Sequence, residues 1–329
     1  MRAAVLEVPG RLVVRDVAPP PETDDLVTVC VEQAGVCGTD RKVVDGDMPT
    51  ALPRIIGHEL VGRVRDGGTR VLIDPSMWCG RCDICRRGLV HLCPWGGLMG
   101  RDVDGGLAEL VAVPAERLHI VPESIRDDDA ALLQVLGTCV HAQHQVNVFP
   151  VDDAVVVGLG VSGLLHVQLL KARGARTVIG VGRSASKREL AEQLGATVTC
   201  TPEDAASVIT EATDGNGCGI VLEAAGAAST VSLAVKLAGY GATIVIFGTL
   251  VGGEHQLPFY ELYRKELRLV NPRAAVGRDY DDAIAVVASG VVTGAPLVTD
   301  RLPLAEAPAV LAHWYDQPGR LKVVFHPQR

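Results

Sequence analysis

Aromatic residues are scarce in this 329-residue chain, and no stretch of it is strongly basic or uniformly apolar. With a formal net charge of −8 and no run of Lys and Arg, the chain lacks the basic footprint of a nucleic-acid-binding protein. Its longest apolar run, AVVVGLGVSGLLHVQLL, is interrupted by three glycines and a histidine, which favours a buried strand and helix over a membrane span. Because the N-terminus lacks the apolar segment of a signal peptide, we expect a soluble, cytoplasmic protein.

The chain does contain enough apolar sequence for two domains. Apolar residues make up 48% of it, which is typical of a globular protein. Short β-prone runs such as RLVVRDV and LVTVCVEQAGV, separated by Gly, Pro and Asp, predict an irregular, barrel-like β domain over residues 1–125. We expect the last segment, residues 297–329, to complete this domain.

From about residue 152, apolar runs alternate with segments of helical periodicity. DAVVVGLG, TVIGVG and ATIVIFG are typical of buried strands, whereas VSGLLHVQLLKARG and SASKRELAEQLG predict helices. Ser186 and Glu189 have the spacing of a capping box near the start of the second of these helices. The alternation predicts an α/β domain with a doubly wound parallel sheet over residues 126–296.

The sequence GLGVSG has the glycine spacing of a dinucleotide-binding loop. Gly158, Gly160 and Gly163 close a predicted strand, and Val161 opens a predicted helix. These four residues are therefore expected to hold a pyrophosphate at the helix N-terminus. A glycine turn with a purely structural role is the alternative.

The end of the next predicted strand indicates which nucleotide is preferred. An NAD site usually has a carboxylate there, about 20 residues after the glycines, to bind the ribose hydroxyls. This chain has Gly182, followed by Arg183, and Lys187 one helical turn later. Without a carboxylate and with two cations, the pattern favours NADP, although NAD stays possible. Alternatively, Arg183 is a solvated surface residue.

Four of the nine cysteines fall within residues 79–93, CGRCDICRRGLVHLC. An odd total and a reducing compartment argue against a disulfide framework. The thiolates of Cys79, Cys82, Cys85 and Cys93 can close a tetrahedral zinc site that leaves no position for substrate. An iron–sulfur cluster or a redox-active C-x-x-C pair is the alternative.

A second group of candidate metal ligands is scattered along the chain. Cys37 lies in AGVCGTD, and His58 and Glu59 lie in GHELVG. Thiolate, imidazole and carboxylate together suit zinc. Taken singly, Cys37 could be a small buried apolar residue and the His-Glu pair a surface feature.

In their order along the chain, these motifs resemble the zinc-dependent medium-chain alcohol and polyol dehydrogenases. GVCGTD precedes GHELVG, and the four-cysteine segment, DVDGGLAELV, GLGVSG, VLEAAG and RLKVVF follow. The resemblance covers essentially the whole chain. It implies a GroES-like β-barrel catalytic domain with an inserted Rossmann domain, and two zinc ions per chain, one structural and one catalytic.

The resemblance also implies roles for particular residues. Cys37, His58 and Glu59 would hold the catalytic zinc, whose open position binds a substrate hydroxyl and lowers its pKa. Thr39 matches the hydroxyl that takes the alcohol proton, although it could instead be a turn residue. Two positions depart from the family: Gln134 stands where relatives carry a Cys or Glu near the metal, and Lys42 where many carry a proton-relaying His. Gln134 is a weak candidate for a fourth ligand or an ordinary helix residue.

We therefore expect an oxidoreductase that transfers a hydride between a secondary alcohol and a nicotinamide cofactor. By resemblance the substrate would be a polyol, sugar or cyclitol, and the protein a dimer or tetramer. The composition hints at a role in making a secondary metabolite such as an aminocyclitol. The competing hypothesis is an NADPH-binding, redox-sensing protein of the same fold that has lost catalysis, supported by Gln134 and Lys42.

Overall fold

The computed structural model describes residues 1–250, 256–314, 317 and 319–328. Two compact units make up the chain. Unit 1 comprises Met1–Thr138 and Ala274–Arg329, and unit 2 comprises Cys139–Arg273. None of the helices described combines the length and apolar character that crossing a membrane would need.

Helices and strands are numbered along the chain. The strands are β1 (Arg2–Val8), β2 (Arg11–Asp16), β3 (Val27–Val36), β4 (Arg54–Ile55), β5 (Glu59–Val64), β6 (Arg70–Ile73), β7 (Ser76–Met77), β8 (Gly97–Leu98), β9 (Leu110–Val113), β10 (Leu118–Ile120), β11 (Asp153–Val157), β12 (Thr177–Val181), β13 (Val198–Cys200), β14 (Cys218–Glu223), β15 (Ala238–Ile246), β16 (Arg268–Val270), β17 (Val298–Pro303) and β18 (Lys322–His326). The helices are α1 (Gly38–Asp45), α2 (Asp83–Arg86), α3 (Asp127–Ala130), α4 (Leu133–His144), α5 (Val161–Ala172), α6 (Ala185–Gln193), α7 (Ala205–Ala212), α8 (Ala228–Leu237), α9 (Phe259–Arg264), α10 (Gly277–Ala288) and α11 (Ala307–Ala312).

Unit 1 is built from β-sheets, as its β-prone runs predict. A seven-stranded sheet has the order β10-β6-β5-β3-β18-β17, with β9 also paired to β3, and a three-stranded sheet has the order β2-β1-β4. Fully buried apolar side chains, among them Leu6, Leu60, Leu107 and Phe325, form its core. Each contributes about 1.5–3 kcal/mol through burial. Phe325 belongs to β18, so the C-terminal segment lies in this unit.

Pairing around β3 fixes the position of the candidate site. Gly35 lies opposite Glu59 of β5, and Val36 lies opposite Val323 of β18. Strands β5 and β18 both run antiparallel to β3. The carboxyl end of β3 therefore meets the amino ends of β5 and β18. A Cβ atom on Gly35 would lie 2.4 Å from the Glu59 Oε2 atom, so glycine leaves room for that carboxylate.

The boundaries of the compact units differ from the predicted domain boundaries at 125/126 and 296/297. The catalytic and dinucleotide-binding roles of the two predicted domains stay predictions. Residues 126–138 and 274–296 belong to unit 1. A buried carboxylate connects the two segments, because Asp129 accepts hydrogen bonds from the Thr293 hydroxyl and from the backbone N–H groups of Gly294 and Ala295. Their side-chain patterns alone do not reveal this long-range contact.

Unit 2 is a doubly wound α/β fold. Its six strands are all parallel and have the order β13-β12-β11-β14-β15-β16, the Rossmann arrangement. The predicted strands and helices between residues 153 and 248 are present. The predicted capping box is wrong, since α6 begins at Ala185 and its N-cap is Ser184, which leaves Ser186 inside the first turn.

Candidate active site

Cys37 lies where β3 ends and α1 begins. It is the N-cap of α1, and its Sγ atom accepts a hydrogen bond from the backbone N–H of Thr39 at 3.2 Å. The backbone N–H of Cys37 donates to Asp40 at 2.9 Å, which completes a capping box. These bonds fix the sulfur at the carboxyl end of β3.

His58 and Glu59 reach the same place from the start of β5. The His58 Nε2 atom is 3.2 Å from the Cys37 Sγ atom, and its Nδ1 atom is 3.1 Å from Asp40. The Glu59 carboxylate contacts the ammonium group of Lys322 at 2.5 Å. All of these side chains except Cys37 are buried.

Electrostatics favour the charged forms of Asp40 and His58 despite their burial. Burial opposes ionisation of Asp40, but His58, the Cys37 N–H group and Lys322 outweigh it and lower the pKa of that carboxyl. Burial likewise opposes protonation of His58, yet Asp40 and Cys37 raise its pKa well above the ordinary value. With Nδ1 turned to Asp40, the imidazole presents Nε2 to the cluster, the usual arrangement of a ligating histidine.

The donor set of this cluster fits a zinc ion. One ligand atom from each of Cys37, His58 and Glu59 lies within 4.8 Å of the other two. Sulfur and nitrogen ligands on one tetrahedral zinc lie about 3.6 Å apart, given bond lengths of about 2.3 and 2.1 Å. Three protein ligands leave a fourth position, as in catalytic rather than structural zinc sites.

Thr39 lies next to this cluster. It is half-buried in the first turn of α1. Among the residues that the structure describes, none hydrogen-bonds with the Thr39 hydroxyl. A substrate proton could therefore be passed to it without breaking an existing bond. Lys42, where the family has its relay histidine, lies in the last turn of the same helix.

Gln134 lies in the first turn of α4 and is 7% exposed. Its Nε2 atom is 3.5 Å from the hydroxyl of Tyr280, a long hydrogen bond. The Tyr280 ring fits closely against Gly137, where an added Cβ would lie 2.4 Å from the ring. The structure thus gives Gln134 a partner of its own, and its role as a metal ligand stays a prediction.

The four cysteines of residues 79–93 lie in α2 and in the segments on either side of it. Their sulfur atoms all lie within 4.8 Å of one another, and those of Cys82 and Cys93 are 3.9 Å apart. A disulfide would need about 2 Å, whereas two thiolates on one tetrahedral zinc lie about 3.8 Å apart. Backbone N–H groups of Arg81 and Cys82 lower the pKa of Cys79 to about 6, whereas burial raises that of Cys85 to about 12. The set fits a closed tetrahedral site.

The predicted nucleotide loop connects β11 to α5. Gly160 is the N-cap of α5 and Val161 its first residue. A Cβ atom on Gly163 would lie 1.8 Å from the carbonyl oxygen of Gly158, so only glycine allows the helix to start this close to the strand. The free backbone N–H groups of this helix end are suited to bind a pyrophosphate.

Two cations lie together just beyond β12. Arg183 is exposed and Lys187 half-buried, and neither side chain hydrogen-bonds or forms an ion pair with any residue described. Burial and the positive charge of Arg183 lower the pKa of Lys187. Arg188 holds the backbone beneath them by donating to the carbonyl oxygens of Gly182 at 2.8 Å and Arg183 at 3.0 Å. An anion between Arg183 and Lys187 would relieve their repulsion.

Comparison with known proteins gives matches in both units. The alcohol dehydrogenase GroES-like domain matches residues 23–123, and the zinc-binding dehydrogenase domain matches residues 161–289. A zinc-type alcohol dehydrogenase-like protein of Haemophilus influenzae, itself uncharacterised, is 30% identical over 97% of this chain and 96% of its own length. The chain belongs to the zinc-type alcohol dehydrogenase family. It is thus an oxidoreductase with a GroES-like domain and a Rossmann domain, as the motifs predicted.

Other members of this family carry more specific descriptions. The D-arabitol-phosphate dehydrogenase of Enterococcus avium is 29% identical over 93% of this chain and 92% of its own. A protein of Sinorhizobium meliloti 1021, described as a zinc-binding dehydrogenase and crystallised with NADP, is 34% identical. Its structure matches with a TM-score of 0.91 over 99% of both chains.

Three residues of this family member escaped the sequence analysis. Asp40 orients His58, Lys322 holds Glu59, and Arg188 supports the backbone under Arg183. Two of them leave a signal in the sequence: Asp40 lies three residues after Cys37, which is capping-box spacing, and Lys322 is a charge directly before the apolar run VVF.

Proposed function

We propose that the protein is a zinc-dependent dehydrogenase that oxidises a secondary alcohol of a polyol or sugar, or reduces the corresponding ketone, and that prefers NADP. The observation that carries this proposal is the convergence of Cys37, His58 and Glu59 at the end of β3, each with a bonded partner. Bound there, zinc would supply a Lewis acid that lowers the pKa of an alcohol, and NADP would supply the hydride acceptor.

The chain's own residues have three tasks in this proposal. Asp40 keeps the imidazole of His58 in one orientation and tautomer. Thr39 accepts the substrate proton on its hydroxyl oxygen while donating its own hydroxyl proton to a water molecule, because a hydroxyl can do both. Gly160, Val161 and Gly163 bind the pyrophosphate of the cofactor through backbone N–H groups at the start of α5, whereas Gly158, whose N–H donates to the carbonyl oxygen of Val181, forms the turn before it.

NADP preference rests on Arg183 and Lys187. Gly182 offers no carboxylate to bind the ribose hydroxyls or to repel a 2′-phosphate. The two cations have no partner among the residues described and lie close enough together for Arg183 to lower the pKa of Lys187, and a phosphate between them would gain charge-assisted hydrogen bonds. NAD, which lacks this phosphate, would gain nothing from them.

The four-cysteine site is proposed to hold a second, structural zinc, which makes two zinc ions per chain. All four ligands are thiolates, so no position stays open for a substrate. Its role would be to fix the loop around α2.

The substrate class comes from relatives such as the arabitol-phosphate dehydrogenase. We propose that the protein works in the cytoplasm, where a reducing milieu suits its nine cysteines, none of which forms a disulfide. A homo-oligomer, dimer or tetramer, is proposed by resemblance alone.

The test is a panel of polyols, sugar alcohols and their phosphates, assayed with both cofactors through NAD(P)H absorbance. We expect turnover of at least one secondary alcohol, with a higher kcat/KM for NADP than for NAD. If NADPH binds but no substrate turns over, the alternative of a redox-sensing protein without catalysis is favoured.

The Arg183→Ala variant tests the proposed preference for NADP over NAD. Losing one charge-assisted hydrogen bond costs about 1.5–3 kcal/mol, so kcat/KM with NADP should fall by roughly 10- to 150-fold while that with NAD stays nearly constant. Arg173→Ala, which removes a guanidinium bonded to the carbonyl oxygens of Gln143 and Val146 elsewhere in unit 2, is the control. Equal losses with both cofactors would contradict a phosphate-binding role for Arg183.

A further inference from the structure

Lys322 is a fully buried lysine at the start of the last strand. It is 2% exposed, and lysines are almost never buried to this degree unless they are paired. Its Nζ atom donates to the Glu59 Oε2 atom at 2.5 Å and to the carbonyl oxygen of Val36 at 3.1 Å. The positive charge of Lys322 is therefore paired with one carboxylate oxygen of Glu59, a candidate zinc ligand.

Strand pairing makes this contact a fixed part of the fold. Val323 lies opposite Val36, so the preceding residue, Lys322, emerges beside the carboxyl end of β3. Gly35 lies opposite Glu59 and leaves space for its carboxylate. The two charges are thus set by three paired strands rather than by a flexible surface loop.

Counting charges shows what the lysine balances. Cys37 as a thiolate, with Asp40 and Glu59 as carboxylates, contributes three negative charges, and His58 is neutral when it binds a metal. Lys322 contributes one positive charge. A divalent metal would make this buried group neutral, whereas without Lys322 it would keep an excess negative charge.

We propose that Lys322 is a positioning residue of the metal centre, which rests on the zinc-dependent function proposed above. By occupying one oxygen of Glu59, it restricts that carboxylate to binding zinc through the other oxygen, so that a coordination position stays open. By its charge, it weakens zinc binding relative to a site without it and leaves the ion a stronger Lewis acid.

Two substitutions separate these effects. Lys322→Gln keeps a hydrogen-bond donor for Glu59 but removes the charge, and Lys322→Met removes both. Zinc affinity at the Cys37 site, measured by competition with a chelator, should rise by about tenfold or more in both variants, because a positive charge near a divalent cation is lost.

Cobalt reports the geometry independently of activity. The spectrum of the Cys37 site is obtained by subtracting that of Cys37→Ser, which leaves the four-cysteine site alone. In Lys322→Met the freed carboxylate should bind through both oxygens, which raises the coordination number and weakens the visible cobalt absorption. In Lys322→Gln the spectrum should match that of the wild type, since the oxygen is still occupied.

Lys265→Met is the matched control. The ammonium group of Lys265 donates to three backbone carbonyl oxygens, those of Val235, Lys236 and Ala238, and so acts on no carboxylate. The Lys265→Met variant should have the same zinc affinity and cobalt spectrum as the wild type. Circular dichroism checks that each variant folds, and if Lys322→Met does not, Lys322→Gln alone decides the effect of charge.

Wild-type zinc affinity in Lys322→Gln would overturn the charge-balancing role, and an unchanged cobalt spectrum in folded Lys322→Met would overturn the positioning role. Either result leaves the zinc-dependent function intact. If instead the wild type and Cys37→Ser had identical cobalt spectra, no metal would occupy the Cys37 site, and both proposals would be wrong.

Discussion

The two groups of candidate zinc ligands in unit 1 are assembled in opposite ways. Residues 79–93 supply all four ligands of one group from a single short loop. The other group brings Cys37, which follows β3, together with Glu59, the first residue of β5, and His58 just before it. One is local and readily seen in the sequence, whereas the other depends on strand register.

Their surroundings differ as well. Around Cys37, His58 and Glu59 the structure places a buried carboxylate, Asp40, and a buried ammonium group, Lys322. The cysteine loop is supported by backbone N–H groups, and two of its four cysteines are only half-buried. Buried charges are costly unless they are paired and hydrogen-bonded, and here Asp40 is paired with His58 and Lys322 with Glu59. This difference in surroundings is in keeping with the proposal that the scattered group performs chemistry and the dense one holds a loop in place.

The comparison would be tested most severely by removing one ligand from the scattered group. Cys37→Ala should lower kcat by about a thousandfold or more, since Lewis-acid stabilisation is worth several kcal/mol. NADP affinity, measured by quenching of protein fluorescence, should stay nearly constant because the nucleotide loop lies in unit 2. Cys30→Ala, which removes a half-buried cysteine inside β3, is the control. Normal turnover by Cys37→Ala would mean that this group is not catalytic.

Removing a ligand from the cysteine loop should have the complementary effect. Cys82→Ser should lose one zinc per chain by elemental analysis and lower the melting temperature by roughly 5–15 °C, corresponding to ~2–5 kcal/mol of lost stability. Residual folded protein should still turn over substrate. Unchanged metal content and melting temperature would show that the loop holds no structural zinc.

Sequence alone was sufficient to name the candidate ligands but not the groups that contact them. Cys37, His58, Glu59 and the cysteines lie in recognisable motifs. The contact between Lys322 and Glu59, in contrast, joins residues 263 positions apart. Nothing in a local pattern specifies which strand will lie beside β3, so a buried lysine cannot be assigned to its carboxylate in advance.

The same limit applies to the fold. Strands and helices of unit 2 with strong apolar periodicity were predicted between residues 153 and 248. The mostly exposed strand β16 was not, because only three residues, Arg268–Val270, form it, and as the edge strand of the sheet it exists through its pairing with β15. The predicted capping box at Ser186 failed because a Ser earlier in the same segment, Ser184, takes the N-cap position.

A smaller effect is expected from the carboxylate that orients His58. Asp40→Asn keeps the shape but removes the charge that holds the imidazole, so zinc affinity at the Cys37 site should fall by about 10- to 100-fold. The four-cysteine site should keep its zinc. Asp45→Asn, which alters an acidic residue of the same helix bonded to Arg41, should affect neither site. Equal losses from both sites would mean that Asp40 supports the unit as a whole.

The smallest expected effect concerns Gln134, which tests how many protein ligands the scattered group has. A carboxylate binds zinc better than an amide does, so Gln134→Glu should tighten zinc at the Cys37 site by about three- to tenfold if this side chain reaches the metal. Its neighbour can accommodate the change: burial raises the pKa of Tyr280 well above the ordinary value, so the hydroxyl stays protonated and can donate to the new carboxylate.

Gln143→Glu, which introduces a carboxylate at a similarly buried glutamine bonded to His166 in unit 2, controls for the cost of burying a charge. Chelator competition on both variants gives the answer. Unchanged zinc affinity in Gln134→Glu would place the residue outside the reach of the metal and leave Cys37, His58 and Glu59 as its three protein ligands. The contrast with the closed four-cysteine site would then be complete, because one coordination position of the scattered group would have no protein ligand at all.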